Sequence, residues 1–247
     1  MKVSFLGSGG PYVTKENSCP SILLNRNILM DCGSGSLKNF KLMGFTLGQL
    51  EKVMITHFHA DHVCDLVALI WAMQMEDRKK ALEVLGHIGV KEMTEGFLKL
   101  TNTPEEFIAY PLVYKPLKGT EDLGEVKVCK TDHKPTNLAY RVELDGRSVC
   151  YTGDTAFHEP LAKFAYKCDL IIHDAAFSDE QRDIALMTKH STAGQAGRIA
   201  ELAEAKKLAL FHLFPFNRGR ESEMVSQAAK EFSGEVFVAQ DLQELEL

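Results

Sequence analysis

The segment Thr56-His57-Phe58-His59-Ala60-Asp61-His62 constrains this chain more than any other, because it sets three imidazoles and a carboxylate within six residues, directly after the apolar run Val53–Ile55. In extended backbone, residues two apart point to the same side, so His57 and His59 can share one metal ion. Where the chain turns after His59, Asp61 and His62 can swing toward a second ion beside the first. Neutral imidazole and carboxylate suit zinc, and also manganese or iron. The bland alternative is a solvated polar turn, but nine histidines in 247 residues make three in six a poor accident.

Three other places can close such a site. Thr131-Asp132-His133 puts a histidine at a strand end, Gly153-Asp154-Thr155 puts a carboxylate after a strand and a glycine, and Leu210-Phe211-His212 ends an apolar strand. Each alone reads as a structural strand-end residue. Together they have the order and places to give each ion a third donor, with Asp154 free to bridge.

The rest of the chain is that of an ordinary globular protein, 45% hydrophobic and 25% charged. We expect one domain over residues 1–247, with strands at Val3–Leu6, Ser21–Leu24 and Asn27–Met30 (a hairpin about Asn25-Arg26), Val53–Ile55, Val126–Thr131, Ala139–Glu143, Ser148–Thr152, Leu170–His173, Leu208–Phe211 and Glu235–Ala239. Helices are expected from Leu37 to about Met43 and over Leu66–Met75, Val90–Leu100, Pro160–Tyr166 and Ala193–Glu204. Asn102–Asp122, with Pro104, Pro111, Pro116 and Gly119, reads as a connecting loop or a lid. Both halves run from strands to helices, which suits sheet-on-sheet packing with helices outside.

The net charge of −6 weighs against a long phosphate-backbone footprint. Arg78-Lys79-Lys80, the sole cationic run, reads as a solvated segment. The start lacks a cationic segment followed by an apolar stretch, and no run approaches the ~18 apolar residues of a membrane span. Six cysteines, spread widely with no C-x-x-C pair, exclude a disulfide scaffold and a zinc ribbon. A cytoplasmic protein without membrane contact is expected.

H-x-H-x-D-H followed in order by His, Asp and His resembles the metallo-β-lactamase superfamily, and the further segments resemble its ribonuclease Z-like phosphodiesterase branch. Gly7-Ser8-Gly9 with Pro11 is similar to that branch's glycine loop, Asp31-Cys32-Gly33 to its D-C-G turn, Ala139-Tyr140-Arg141 to its G-Y-R, and Gly153-Asp154-Thr155 to its G-D-T. His173-Asp174-Ala175-Ala176-Phe177 is similar to its H-E-A-T-F, and His190-Ser191-Thr192 with Gln195-Ala196 to its H-S-T helix start. The resemblance implies an α+β fold, an αββα sandwich of two mixed sheets with helices on the outer faces. It implies two divalent ions, zinc first and manganese or iron otherwise, one held by His57, His59 and His133, the other by Asp61, His62 and His212. Asp154 would bridge them and a hydroxide would lie between. It assigns catalysis to Asp61, orienting the hydroxide, and to His190, protonating the leaving oxygen. Asp174 stands where the branch has Glu, with one methylene less reach toward His190. Asp31 is expected to orient a donor histidine or to shape its turn. His87, His158, Lys134, Arg218 and Arg220 are expected on the surface, the last three with a capacity for phosphate.

One departure matters. Ribonuclease Z carries an arm that grips transfer RNA, inserted between G-Y-R and G-D-T, whereas here only eleven residues, Val142 to Thr152, join Arg141 to Gly153. The expected function is therefore a binuclear metal-dependent hydrolase acting on a small or cyclic phosphodiester. A ribonuclease Z-like transfer RNA 3′ endonuclease ranks second, and a thioesterase, another hydrolase or a metal-stabilised binding domain lower. Partners are expected to be a small-molecule phosphate ester first and RNA second, with a homodimer admitted. Flavodiiron chemistry needs a Glu where His59 stands.

Overall fold

A computed structural model describes residues 1–247, the side chain of Glu105 excepted. The strands are β1 (Lys2–Gly7), β2 (Ser21–Leu24), β3 (Ile28–Met30), β4 (Lys52–Met54), β5 (Leu82–His87), β6 (Leu112–Leu117), β7 (Thr120–Asp122), β8 (Val126–Lys130), β9 (Leu138–Leu144), β10 (Arg147–Tyr151), β11 (Leu170–Asp174), β12 (Lys207–Phe211), β13 (Glu235–Val238) and β14 (Glu244–Glu246). They form two seven-stranded sheets, ordered β14-β1-β2-β3-β4-β5-β6 and β13-β12-β11-β10-β9-β8-β7. Both are mixed, with antiparallel pairing from β14 to β3 and from β7 to β10, and parallel pairing elsewhere.

Alternation along the strands builds the layers. Val3, Phe5, Ile22 and Met54 from one sheet meet Tyr140, Val149, Tyr151, Ile172 and Phe211 from the other in a shared buried core. The opposite faces are covered by helices: α1 (Ser36–Leu42), α3 (Leu66–Met75) and α4 (Val90–Leu100) outside the first sheet, and α5 (Pro160–Phe164), α7 (Ala193–Leu202) and α8 (Glu221–Ala229) outside the second. The result is the expected αββα sandwich. Two short helices, α2 (Ala60–Val63) and α6 (Arg182–Thr188), lie in connections.

Asn102–Asp122 departs from expectation. It is neither a plain loop nor a lid, because β6 and β7 lie within it, one at the outer edge of each sheet. Pro116 disguises β6, but an edge strand tolerates a residue that cannot donate on its open side. With α4, this segment lines a groove of about 1020 Å³ among Glu95, Lys99, Thr103, Tyr110 and Tyr114, away from the histidine cluster. Strand β5, the short strand β14 and the helices α6 and α8 are also additions to the sequence reading. Among the described residues, no helix is long and apolar enough to cross a membrane.

Candidate metal centre

Strands β4, β8, β10 and β12 deliver chemistry just past their C-terminal ends, and β11 ends on Asp174. His57 follows β4, His133 follows β8, Asp154 follows β10 and His212 follows β12. Asp61 and His62 sit on α2, whose single turn brings both back toward His57.

The seven expected donors converge as two clusters. In the first, His57 Nε2 lies 2.9 Å from His59 Nδ1 and 3.6 Å from Asp154 Oδ2, and His133 Nε2 lies 3.5 Å from His59 Nδ1 and 3.9 Å from Asp154 Oδ2. In the second, Asp61 Oδ2 is 3.2 Å from His212 Nε2 and 3.5 Å from His62 Nε2, while Asp154 Oδ1 is 3.4 Å from His62 Nε2 and 3.5 Å from His212 Nε2. The two oxygens of Asp154 thus face different clusters. A tetrahedral ion with bonds of ~2.0–2.1 Å places its donors ~3.4 Å apart, which is the spacing of the second cluster. His62 Nε2 and Asp154 Oδ1 are buried without a hydrogen-bond partner among the described residues. An orphaned lone pair and an orphaned carboxylate oxygen facing one point fit a cation.

The tautomers agree. His62 Nδ1 donates to Asp31 Oδ2 at 2.7 Å and His133 Nδ1 donates to the carbonyl of Lys189 at 2.9 Å, since those oxygens can only accept. Each ring therefore turns an Nε2 lone pair toward the cluster. Burial first, then the neighbouring imidazoles, pushes the His57 pKa well below its ordinary value; burial and His133 lower that of His59. Both rings stay unprotonated, as metal donors must. At His62 burial opposes the proton, but Asp154 and Asp31 outweigh it and raise the pKa well above normal. That charge answers the same carboxylates that a divalent ion would.

Asp31 is the keystone of this support. Fully buried, it accepts from His62 Nδ1, from Thr56 N at 2.8 Å, from Thr56 Oγ1 at 2.9 Å and from the Tyr151 hydroxyl at 2.8 Å. Its φ is +56° and that of His212 is +63°, left-handed values that non-glycine residues seldom adopt and that cluster at functional sites. Gly153, at φ +56°, allows a close approach. A Cβ there would come within 2.4 Å of Asn137 Oδ1 and 2.8 Å of the Thr56 side chain. Thr56, Tyr151 and Asn137 escaped the sequence reading, because a lone polar residue beside a strand end carries no signal until its partner is known.

His190 stands beside both clusters, its ring 5.2 Å from those of His133 and His212. Its Nδ1 donates to Asp174 Oδ2 at 2.8 Å, so the shorter carboxylate does reach it. Asp174 is held in turn by Thr155 N at 2.9 Å and Ala176 N at 3.0 Å. Burial would lower the His190 pKa, but Asp174, with help from Asp154, pushes it up to about 9. His173 takes no part: its Nδ1 lies 2.7 Å from the backbone oxygen of Asp174. Thr192, two residues on, caps α7 and shares a capping box with Gln195, fixing where His190 enters.

His87 and His158 are half-buried and stand outside both clusters. Lys134 is exposed as expected, but Arg218 and Arg220 are not free surface cations. Arg218 Nη2 donates to the Ser8 carbonyl at 2.8 Å, and Arg220 pairs with Glu223 and Glu180.

The family model described as β-lactamase superfamily domain matches residues 26–213. The chain belongs to the metallo-β-lactamase superfamily, in its ribonuclease Z-like branch. It is similar to ribonuclease Z of Halobacterium salinarum, 30% identical over 300 positions that cover 98% of this chain and 96% of the relative. Ribonuclease Z of Haloferax volcanii is 28% identical over 302 positions, covering 100% and 95%. Among solved structures, the metallo-β-lactamase fold protein YhfI from Bacillus subtilis matches with a TM-score of 0.83 and 27% identity, over 100% of this chain and 99% of that one. As a member of this superfamily the protein is a metal-dependent hydrolase. The 302-position alignment takes in all 247 residues, so at least 55 positions of the Haloferax protein lack a counterpart here. At the expected place of the transfer RNA-gripping arm, β9 and β10 are joined by Asp145-Gly146 alone.

Proposed function

We propose that this hydrolase is a phosphodiesterase that works with two divalent ions, zinc by donor type, and that RNA is its substrate. The single observation carrying the metal reading is Asp154, whose two oxygens address two separate donor clusters. The RNA reading rests on the relatives named ribonuclease Z, which reverses the order expected from the sequence, where a small phosphodiester ranked first and transfer RNA second. A specific observation keeps the small or cyclic phosphodiester as a second reading: the two-residue β9–β10 turn leaves no arm to grip a folded RNA.

Bound at the two clusters, divalent ions would lower the pKa of water and stabilise charge growing on a phosphoryl group. The chain's own residues complete the reaction. Asp61, on the rim of the second cluster, orients the attacking oxygen. His190, protonated at neutral pH and aimed by Asp174, gives the proton of Nε2 to the departing oxygen. His190→Ala is expected to lower kcat by ~100-fold or more while metal content is retained. Asp174→Asn removes the carboxylate that holds the proton, so the His190 pKa falls. The alkaline limb of the rate profile, where the acid form is lost, should then move to lower pH. Rates measured across pH 6–10 check this, and an unmoved limb would reduce Asp174 to a structural part.

The substrate is tested by offering the metal-loaded protein precursor transfer RNA, nucleoside cyclic phosphates, a bis-aryl phosphate and thioesters. Cleavage at the transfer RNA 3′ end supports the first reading. Turnover of small phosphodiesters without RNA cleavage moves the choice to the second, and turnover of thioesters alone rejects both.

A further inference from the structure

The loop after β12 carries an aromatic feature that neither the metal clusters nor the proton relay uses. Phe214 lies with its ring 5.3 Å from that of His190 and 5.8 Å from that of His212. Phe216 follows one ring farther out, 5.6 Å from Phe214 at 78°, and 5.9 Å from Phe177. Phe177 is fully buried behind them, whereas Phe216 is 55% exposed. An exposed phenyl ring contributes little to folding, and this one is held on a stiff support. Pro215 begins a tight turn, and the buried Asn217 beside it donates to Ala176 O at 2.8 Å and to Gln181 Oε1 at 2.9 Å. Gly10 packs against Phe214 on another side, where a Cβ would come within 3.0 Å of the ring.

We propose that Phe216, backed by Phe214 and Phe177, is a platform on which a nucleobase of the substrate stacks while its phosphodiester lies at the metal clusters. The inference rests on the phosphodiesterase reading and narrows it to substrates bearing a base near the scissile bond. In a nucleotide a ribose separates the base from the phosphate, and here a single phenyl ring separates Phe216 from His190. Of the cations near the site, Lys189 pairs with Asp132 at 2.9 Å and Arg220 with Glu223 and Glu180, which leaves the exposed Lys134. With a net charge of −6, stacking supplies substrate grip that a basic groove supplies in other nucleases. Every base presents a π-face, so the platform selects for nucleotides without selecting among them.

The test compares base-bearing with abasic ligands on the metal-loaded protein. Nucleoside 2′,3′-cyclic phosphates are set against ribose cyclic phosphate for turnover, and a nucleoside monophosphate against ribose 5-phosphate for binding by calorimetry. The expected preference for the base is on the order of tenfold, the scale of one base–aromatic stack. Phe216→Ala should bring the ratio close to one through KM, Phe216→Leu should fail to restore it, and Phe216→Trp should restore it. An unchanged ratio in Phe216→Ala, or loss accompanied by a change of oligomeric state, overturns the platform. If both cyclic phosphates turn over equally in every variant, stacking fails and the phosphodiesterase stands. If neither turns over yet calorimetry shows the base preference and its loss in Phe216→Ala, the platform stands and the phosphodiesterase reading falls.

Discussion

Replacing His62 with alanine is expected to strip metal from the second cluster and abolish turnover together. His62 Nε2 lies 3.4 Å from Asp154 Oδ1 and 3.5 Å from Asp61 Oδ2, with no polar atom of its own to satisfy it among the described residues. No neighbouring side chain can take its place, because the ring is fully buried against Asp31. The loss should exceed the ~10–100-fold in affinity or activity typical of removing an outer partner, since a direct donor goes. An ion placed between Asp61 and Asp154 then lacks the imidazole donor beside them, which lowers its affinity. Elemental analysis after dialysis, metal titration and turnover of the best substrate are the measurements. A variant that keeps a full complement of metal and wild-type rates removes His62 from the donor set and the second ion from the account.

Asp31→Ala is expected to have the largest effect on stability. The carboxylate sits at zero exposure and receives four donors, from Thr56 twice, His62 and Tyr151. Each buried donor left unsatisfied costs ~1–3 kcal/mol, and breaking a buried charge-assisted network costs ~3–5 kcal/mol. The left-handed backbone at φ +56° adds to this for alanine, whereas asparagine tolerates that conformation. Asp31→Asn should therefore fall between wild type and alanine in its denaturant midpoint. Metal affinity should drop in the alanine variant, because His62 loses the acceptor that fixes its tautomer. A loss of under ~1 kcal/mol in the alanine variant would mean that the four donors find other partners.

Strong local signals account for what was legible in advance. Leu66–Met75 and Val90–Leu100 appear as helices over those residues, and the hairpin about Asn25-Arg26 forms between β2 and β3. The elements that escaped are those whose existence depends on distant partners. In β14 Glu244–Glu246 has one apolar residue, and only pairing with β1 at the opposite end of the chain makes it a strand. In β6 two flanking or internal prolines suggest a loop, and only its place at a sheet edge makes them harmless. In α6 only Ala185 is buried while Ile184, Leu186 and Met187 are exposed, and α8 turns mainly polar residues to solvent, so neither carries a clear apolar stripe.

The site divides along the same line. Residue types and their order along the chain were enough to single out seven candidate donors, and the motifs' resemblance pointed to the superfamily and to His190, because imidazoles and carboxylates packed as densely as His57 to His62 have few other physical uses. Which oxygen of Asp154 faces which cluster, the reach of Asp174 to His190, the four donors on Asp31 and the exposed ring of Phe216 beside the centre were decided by the packing of two sheets. Hydrogen bonds and ring contacts depend on ångström-scale positions set by residues more than a hundred apart, such as Asp31 and Tyr151. One-dimensional spacing carries no such distances; the folded core supplies them.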